Sequence, residues 1–152
     1  MDTSRFTKRI RIKCLPEEAF ERWVTDKGLE SWFLSRAAFS SGERAQVGDR
    51  FDLAWSDGSS DYGEVVAFEE PKLFEFTWYE GRGKVRAAFS AVDTGTLVEV
   101  TQIVAGEGER QIEEFMDCRD GWTFMLTNLK CILEGGMDLR ETDPNLPGLV
   151  NY

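Results

Sequence analysis

One stretch near the end of the chain limits what the rest can fold into: Glu109 to Glu134, ERQIEEFMDCRDGWTFMLTNLKCILE. Ile112, Phe115, Trp122, Leu126, Leu129 and Leu133 recur at three- and four-residue steps with one longer gap, and Cys118, Met125 and Ile132 widen the stripe. This spacing predicts an amphipathic helix with a broad apolar face. Acidic Glu109, Glu113 and Glu114 in its first turns and Lys130 near its last suit the helix dipole, and Gly135-Gly136 ends it. At 1.5 Å per residue it runs roughly 39 Å. No other segment reads as a long helix. Most of what precedes it reads as strands, which need an apolar partner, so a curved antiparallel sheet is expected to grip this helix.

Arg5 to Cys14 alternates, with Phe6, Ile10, Ile12 and Cys14 on one face and Arg5, Thr7, Arg9, Arg11 and Lys13 on the other. That is a half-buried strand whose basic face is expected to pair with acidic side chains on neighbouring strands. Pro16 opens a helix at the position where a missing N–H costs nothing, and Ala19, Phe20, Trp23 and Val24 form its apolar side. Leu29, Trp32 and Phe33 predict a second short helix after the Asp26-Lys27-Gly28 turn.

Six strands follow, separated by turn signals roughly every ten residues. They span 36–40, 50–56, 61–69, 72–79, 84–92 and 96–104. Phe51, Leu53 and Trp55 share a face of the second, and Tyr62, Val66 and Phe68 a face of the third. Phe74, Phe76 and Trp78 share a face of the fourth, Val85, Ala87, Phe89 and Ala91 of the fifth, and Val98 and Val100 of the last. The sum is an α+β helix-grip fold: a sheet of six to seven strands on a long C-terminal helix, with two short helices after the first strand. One domain is expected over 1–136, followed by a C-terminal tail, 137–152, with two prolines and no helical period.

Several function classes are disfavoured. A net charge of −10 repels phosphate backbones, so no nucleic acid is expected as a partner. No apolar run is long enough to span a membrane, and MDTSRFTKRI lacks the apolar core of a signal peptide, so a cytoplasmic protein is expected. Cys14, Cys118 and Cys131 fit no zinc or redox spacing and read as reduced thiols. The chain has no histidine, so the usual general base and the commonest transition-metal ligand are missing. No cofactor and no metal are expected. Glu113, Asp117 and Asp120 share a helix face that reads as solvated.

The order and spacing of certain motifs resemble a known superfamily. Pro16-Glu17-Glu18-Ala19-Phe20-Glu21-Arg22-Trp23 followed by Leu29-Glu30-Ser31-Trp32-Phe33 is similar to the opening of START-related, polyketide-cyclase-like (SRPBCC) domains. Val47-Gly48-Asp49-Arg50-Phe51, Gly63-Glu64-Val65-Val66 and Glu70-Pro71-Lys72-Leu73-Phe74-Glu75-Phe76-Thr77-Trp78 resemble the branch homologous to the activator of the ninety-kilodalton heat-shock ATPase. So does Gly121-Trp122 with Leu126, Leu129-Lys130 and Leu133-Glu134. The resemblance covers about residues 6 to 135 and implies the helix-grip scaffold, which admits a homodimer. It implies no single activity.

A curved sheet laid on one helix leaves a concave apolar space of the kind that takes small molecules. Candidate ligand-binding residues are Trp32, Phe33, Trp55, Tyr62, Phe76, Trp78, Phe89, Phe115, Arg119, Trp122 and Met125; the alternative for each aromatic is core filling. Arg119, at the edge of the helix stripe, can bind a ligand anion, pair with a strand carboxylate, or reach solvent past its own stem. Tyr79 and Glu64 are further polar candidates. Three functions follow. The first is a carrier or sensor of a hydrophobic small molecule, lipid-like or polycyclic. The second is a cyclase- or dehydratase-type enzyme using a carboxylate or Tyr in the same cavity. The third, implied by the resemblance, is a chaperone-interacting regulator. The first is preferred, with no catalytic residue assigned.

Overall fold

The computed structural model describes every residue except Pro144, Pro147 and Tyr152. The chain forms β1 (Arg5–Ile12), α1 (Pro16–Val24), α2 (Asp26–Glu30), β2 (Arg36–Phe39), β3 (Arg50–Ala54), β4 (Ser60–Glu69), β5 (Leu73–Trp78), β6 (Gly83–Val92), β7 (Gly95–Ile103) and α3 (Glu109–Leu133). The seven strands make one antiparallel sheet in the order β1-β7-β6-β5-β4-β3-β2. From β2 to β7 each strand pairs with the next in sequence, and β1 closes on β7. This is the helix-grip arrangement, with α1 and α2 after the first strand and α3 as the long helix.

Local chemistry explains the ends of these elements. Pro16 is the first residue of α1, and the Glu18 carboxylate accepts from Leu15 N at 2.8 Å. Gly135 stands just past α3 with φ 90°, a conformation glycine adopts without penalty. Glu114 of α3 accepts from Ala105 N and Gly106 N (2.9 and 2.8 Å), which ties the preceding loop to the helix. On the outer face of β1, Arg9 lies opposite Glu99 and is ion-paired with it, as the alternating pattern predicts.

Four expectations are corrected. The second short helix is Asp26–Glu30, so it takes in the Asp26-Lys27-Gly28 expected as a turn and ends before Trp32 and Phe33. Tyr62, Val66 and Phe68 do not share a face. A bulge between Val65 and Ala67 inserts one residue, so Val65 opposes Phe76 and Phe68 opposes Phe74, both toward the core. Tyr62 and Val66 point outward. On α3, Ile112 is 49% exposed, so the buried stripe starts at Phe115 and runs through Trp122, Met125, Leu126 and Leu129. Ala91, placed on the inward face of β6, is exposed near the strand end.

The tail is also more organised than its sequence suggests. Asn128 on α3 is fully buried: its Nδ2 donates to Trp32 O (2.9 Å) and Asp138 Oδ1 (3.0 Å), and its Oδ1 accepts from Leu139 N (2.8 Å). Arg140 donates to the carbonyls of Leu34 (3.0 Å) and Glu30 (2.8 Å) and is ion-paired with Asp138. Residues 138–140 therefore clasp the end of α2 to α3. The two prolines of the tail lie outside the described residues.

Candidate functional site

The helix backbone lies closest to β1. Large aromatic side chains occupy the remaining space between α3 and the concave face of the sheet. Trp122 is their centre. It stacks on Trp23 (ring centroids 5.6 Å apart, 13° between planes) and on Phe33 (5.1 Å, 29°), and Trp78 lies tilted at 5.8 Å. Trp32 packs on both Trp23 and Phe33. Trp55, half-buried, meets Phe33 edge-on and Trp78 at a tilt, and so forms the outer margin of the cluster. Aromatic pairs in such offset and edge-to-face arrangements stabilise by about 0.5–1.5 kcal/mol beyond area burial.

Thus Trp32, Phe33, Trp55, Trp78 and Trp122 are brought together. Phe76 adjoins the cluster through Trp78 (6.0 Å) and Phe89 through Trp23 (5.9 Å). Met125 is buried on the same helix face. Phe115 packs edge-on against Phe6, away from Trp122, and the Arg119 guanidinium lies 5.1 Å from the Phe115 ring centroid. Arg119 forms no ion pair among the described residues, so the expected pairing with a strand carboxylate is not seen; its guanidinium lies over the Phe115 ring instead.

Tyr62 does not belong to this group. It is 40% exposed on the outer face of the sheet, with the Arg50 guanidinium 4.3 Å from its ring centroid. There it borders an open groove of about 480 Å³ with Arg36, Ala38, Asp52 and Ala54. The bulge explains the displacement: the parity that puts Phe68 inside puts Tyr62 outside. Glu64 is likewise exposed on the outer face.

Polar groups reach the interior at the β5–β6 end. Tyr79 and Glu80 have φ of 51° and 57°, left-handed values uncommon for residues other than glycine, and the Asp61 carboxylate holds both by accepting their N–H groups (2.6 and 3.1 Å). This turn directs the Tyr79 ring against Trp78 and its hydroxyl to Cys118 Sγ on α3, 3.4 Å away. Burial, then the contact with Cys118, pushes the Tyr79 hydroxyl well above its ordinary range; burial likewise raises the Cys118 thiol. Both stay protonated at neutral pH.

Beside them Gln102 of β7 is fully buried, and its Oε1 accepts from Trp122 Nε1 at 2.7 Å. Gln102 and Trp23 were not among the sequence candidates. The signal for Gln102 was present: it continues the inward alternation of Val98 and Val100.

Among the described residues no buried carboxylate adjoins the aromatic cluster. The buried carboxylate among the described residues is Asp49, in the β2–β3 connection. It accepts from Ser41 Oγ (2.6 Å), Gln46 N (2.8 Å) and Ser40 Oγ (3.3 Å). Burial works to raise this carboxyl, and those hydrogen bonds outweigh it, so it sits below the usual range. Among the described residues no group of three or more Cys, Asp or Glu side chains could hold a metal ion, and no helix is long and apolar enough to cross a membrane.

Solved structures share this architecture. A Staphylococcus saprophyticus protein superposes with a TM-score of 0.75 at 21% identity, covering 90% of this chain and 96% of its own. The Aha1 dimer from Colwellia psychrerythraea gives 0.73 at 21% identity, covering 87% and 97%. CalU16 from Micromonospora echinospora gives 0.70 at 20% identity, covering 89% and 77%. At such identities the likeness is one of fold. Among curated proteins no sequence relative matches. A family profile does: residues 13–134 match the one described as Activator of Hsp90 ATPase homolog 1-like protein. That match takes in everything from the end of β1 to the end of α3, and the chain belongs to this family, the Aha1-like branch of the START-related superfamily.

Proposed function

We propose that the chain binds a hydrophobic small molecule, lipid-like or polycyclic, between the sheet and α3, as a carrier or sensor. The observation that carries this reading is the aromatic cluster around Trp122. Its rings meet in offset stacks and tilted contacts, so a flat apolar ligand can replace ring–ring contacts with ring–ligand contacts of similar quality. Trp55, half-buried at the margin, is the side chain that moves to admit it.

The enzyme reading gains no support from the interior. Its titratable groups, Tyr79 and Cys118, are held protonated, and Asp49 is hydrogen-bonded elsewhere. Action on the heat-shock chaperone rests on the family description alone, and a homodimer on the Colwellia relative being described as a dimer.

Native mass spectrometry of the purified chain, followed by extraction of any adduct, tests the proposal. A stoichiometric apolar adduct, lost in Trp122→Ala while the variant stays folded, is the expected result. A clean ligand-free mass, together with no Trp fluorescence response to polycyclic probes, would refute it. The same spectrum reads the oligomeric state.

A further inference from the structure

On the face of the sheet turned away from α3, neighbouring strands collect cations. β1 presents Arg5, Arg9 and Arg11 there, and β6 presents Lys84 and Arg86. The register aligns them across β7: Arg5 and Lys84 flank Ile103, Thr7 and Arg86 flank Thr101, and Arg9 lies beside Glu99. The carboxylates among them, Glu99 and Glu75 of β5, are both engaged, with Arg9 and with Lys84 (3.3 Å). Arg5, Arg11 and Arg86 form no ion pair among the described residues. Arg11 donates to the Thr94 hydroxyl, and the Asp2 carboxylate, three positions before Arg5, is turned onto Ser4. Of the basic residues that β1 turns outward, only Arg9 has the carboxylate partner expected for that face, among the described residues.

This face runs against the balance of the chain, which has 18 Lys and Arg against 28 Asp and Glu. Acids lie across the sheet from it, where α3 exposes Glu109, Glu113, Asp117 and Asp120. At physiological salt, charges more than about 8 Å apart are largely screened, so a partner seated on these strands meets the guanidinium groups rather than the net charge of the molecule. The surface between them is short-chained, with Thr7, Thr101, Ala88 and Ser90, and Ile103 is 42% exposed. An extended segment turns alternate side chains to one side about every 6.8 Å, the same step that separates Arg9 from Arg11 on β1.

We propose that the outer face of β1, β7 and β6 docks a short acidic segment of a partner protein. Its Glu or Asp side chains take the guanidinium groups of Arg5, Arg11 and Arg86 in forked pairs, and its backbone lies over Thr7 and Thr101. A nucleic-acid duplex fits less well: it carries a charge about every 1.7 Å and runs past the patch onto the acidic remainder of the surface. The docking face is separate from the interior and does not depend on the binding reading above.

The test is NMR titration of the isotope-labelled chain with a short peptide of alternating Glu and Thr, and with the same peptide carrying Gln for Glu. The Glu peptide should shift the amides of Thr7, Arg86 and Thr101 and bind more weakly as salt rises, and the Gln peptide should shift nothing. Arg86→Glu should weaken binding about tenfold or more. Arg5→Glu should do the same and serves if the first variant fails to fold. Lys27→Glu, an exposed reversal on α2 outside this face, should leave binding unchanged. Equal binding of the two peptides, shifts confined to other surfaces, or equal weakening by Lys27→Glu would overturn the proposal. So would tighter binding of duplex DNA or anionic vesicles than of the Glu peptide, or a salt-sensitive dimer that shifts both this face and the acidic face of α3.

Discussion

Asn128→Ala is the most informative single change, because it tests whether the C-terminal segment is part of the domain. The side chain makes three hydrogen bonds, to Trp32 O, Asp138 Oδ1 and Leu139 N, at 2.8–3.0 Å from a fully buried position. Each contributes about 1 kcal/mol net, and stranding a buried partner costs about 1–3 kcal/mol more. Water reaches the Leu139 side, so the total is about 2–4 kcal/mol. For a chain of this size that lowers Tm by about 5–15 °C. Thermal and urea denaturation measure it, and hydrogen exchange localises it: the Leu139 amide should be protected in the parent and open in the variant. A chain ending at Gly136 supplies the control. It has already lost two of the three bonds, so Asn128→Ala made in it should cost only about 1 kcal/mol, the non-additivity expected of partners in one network. A Tm change under about 2 °C in the full chain, with Leu139 exchange unaltered, would refute the clasp.

Trp122→Ala should lose about 3–5 kcal/mol as a core truncation, whereas Trp122→Phe keeps the stack, strands Gln102 Oε1 and should lose about 1–2 kcal/mol. Gly121 and Gly63 should respond oppositely to Ala. A Cβ at Gly121, exposed on α3, meets nothing within 4 Å, so Gly121→Ala should stabilise by about 0.5–1 kcal/mol; at Gly63 it would lie 1.7 Å from Thr77 O, and Gly63→Ala should prevent normal folding. In alkali, Cys118 and Tyr79 are held protonated more firmly in the fold than in the unfolded chain, so the fold binds more protons and stability falls as pH rises from about 9, the ordinary thiol value. Cys118→Ala should make the alkaline limb of a Tm–pH curve shallower. Asp49 has the opposite sign: its lowered carboxyl stabilises above the ordinary value of 3.8 and that stability is lost as pH falls below it, so Asp49→Asn should flatten the acid limb while lowering Tm at neutral pH.

The fold was legible in the sequence because periodicity and punctuation agreed. Seven strand segments between turn residues, Pro16 at a helix start and Gly135 past a helix end each map onto an observed boundary within a few residues. What periodicity cannot express is a change of phase. Tyr62, Val66 and Phe68 stand at even spacing, and an unbroken strand would put them on one face. The extra residue between Val65 and Ala67 reverses parity midway, and nothing local in Glu64-Val65-Val66-Ala67 announces it. The tail was opaque for a related reason. Asp138, Leu139 and Arg140 carry no pattern, since what orders them is a buried amide on α3 and carbonyls at the end of α2, partners remote in sequence.

The candidate site divides along the same line. Trp32, Phe33, Trp55, Trp78 and Trp122 were found because apolar bulk on predicted inward faces converges wherever a sheet wraps a helix. Tyr62 was turned outward by the bulge, and Phe115, seven residues or two helical turns before Trp122, sits about 10 Å from it along α3, against Phe6 of β1, with the Arg119 guanidinium over its ring. Gln102 was passed over because polarity on an inward strand position reads as an interruption of the core. In the folded chain it is the residue that gives the aromatic cluster a polar direction, fixing Trp122 on one side and offering an N–H on the other. A core needs apolar volume at this position and nothing more. A buried amide there costs stability unless both its ends are met, and among the described residues only its oxygen has a hydrogen-bond partner. That asymmetry sets this interior apart from a plain hydrophobic core.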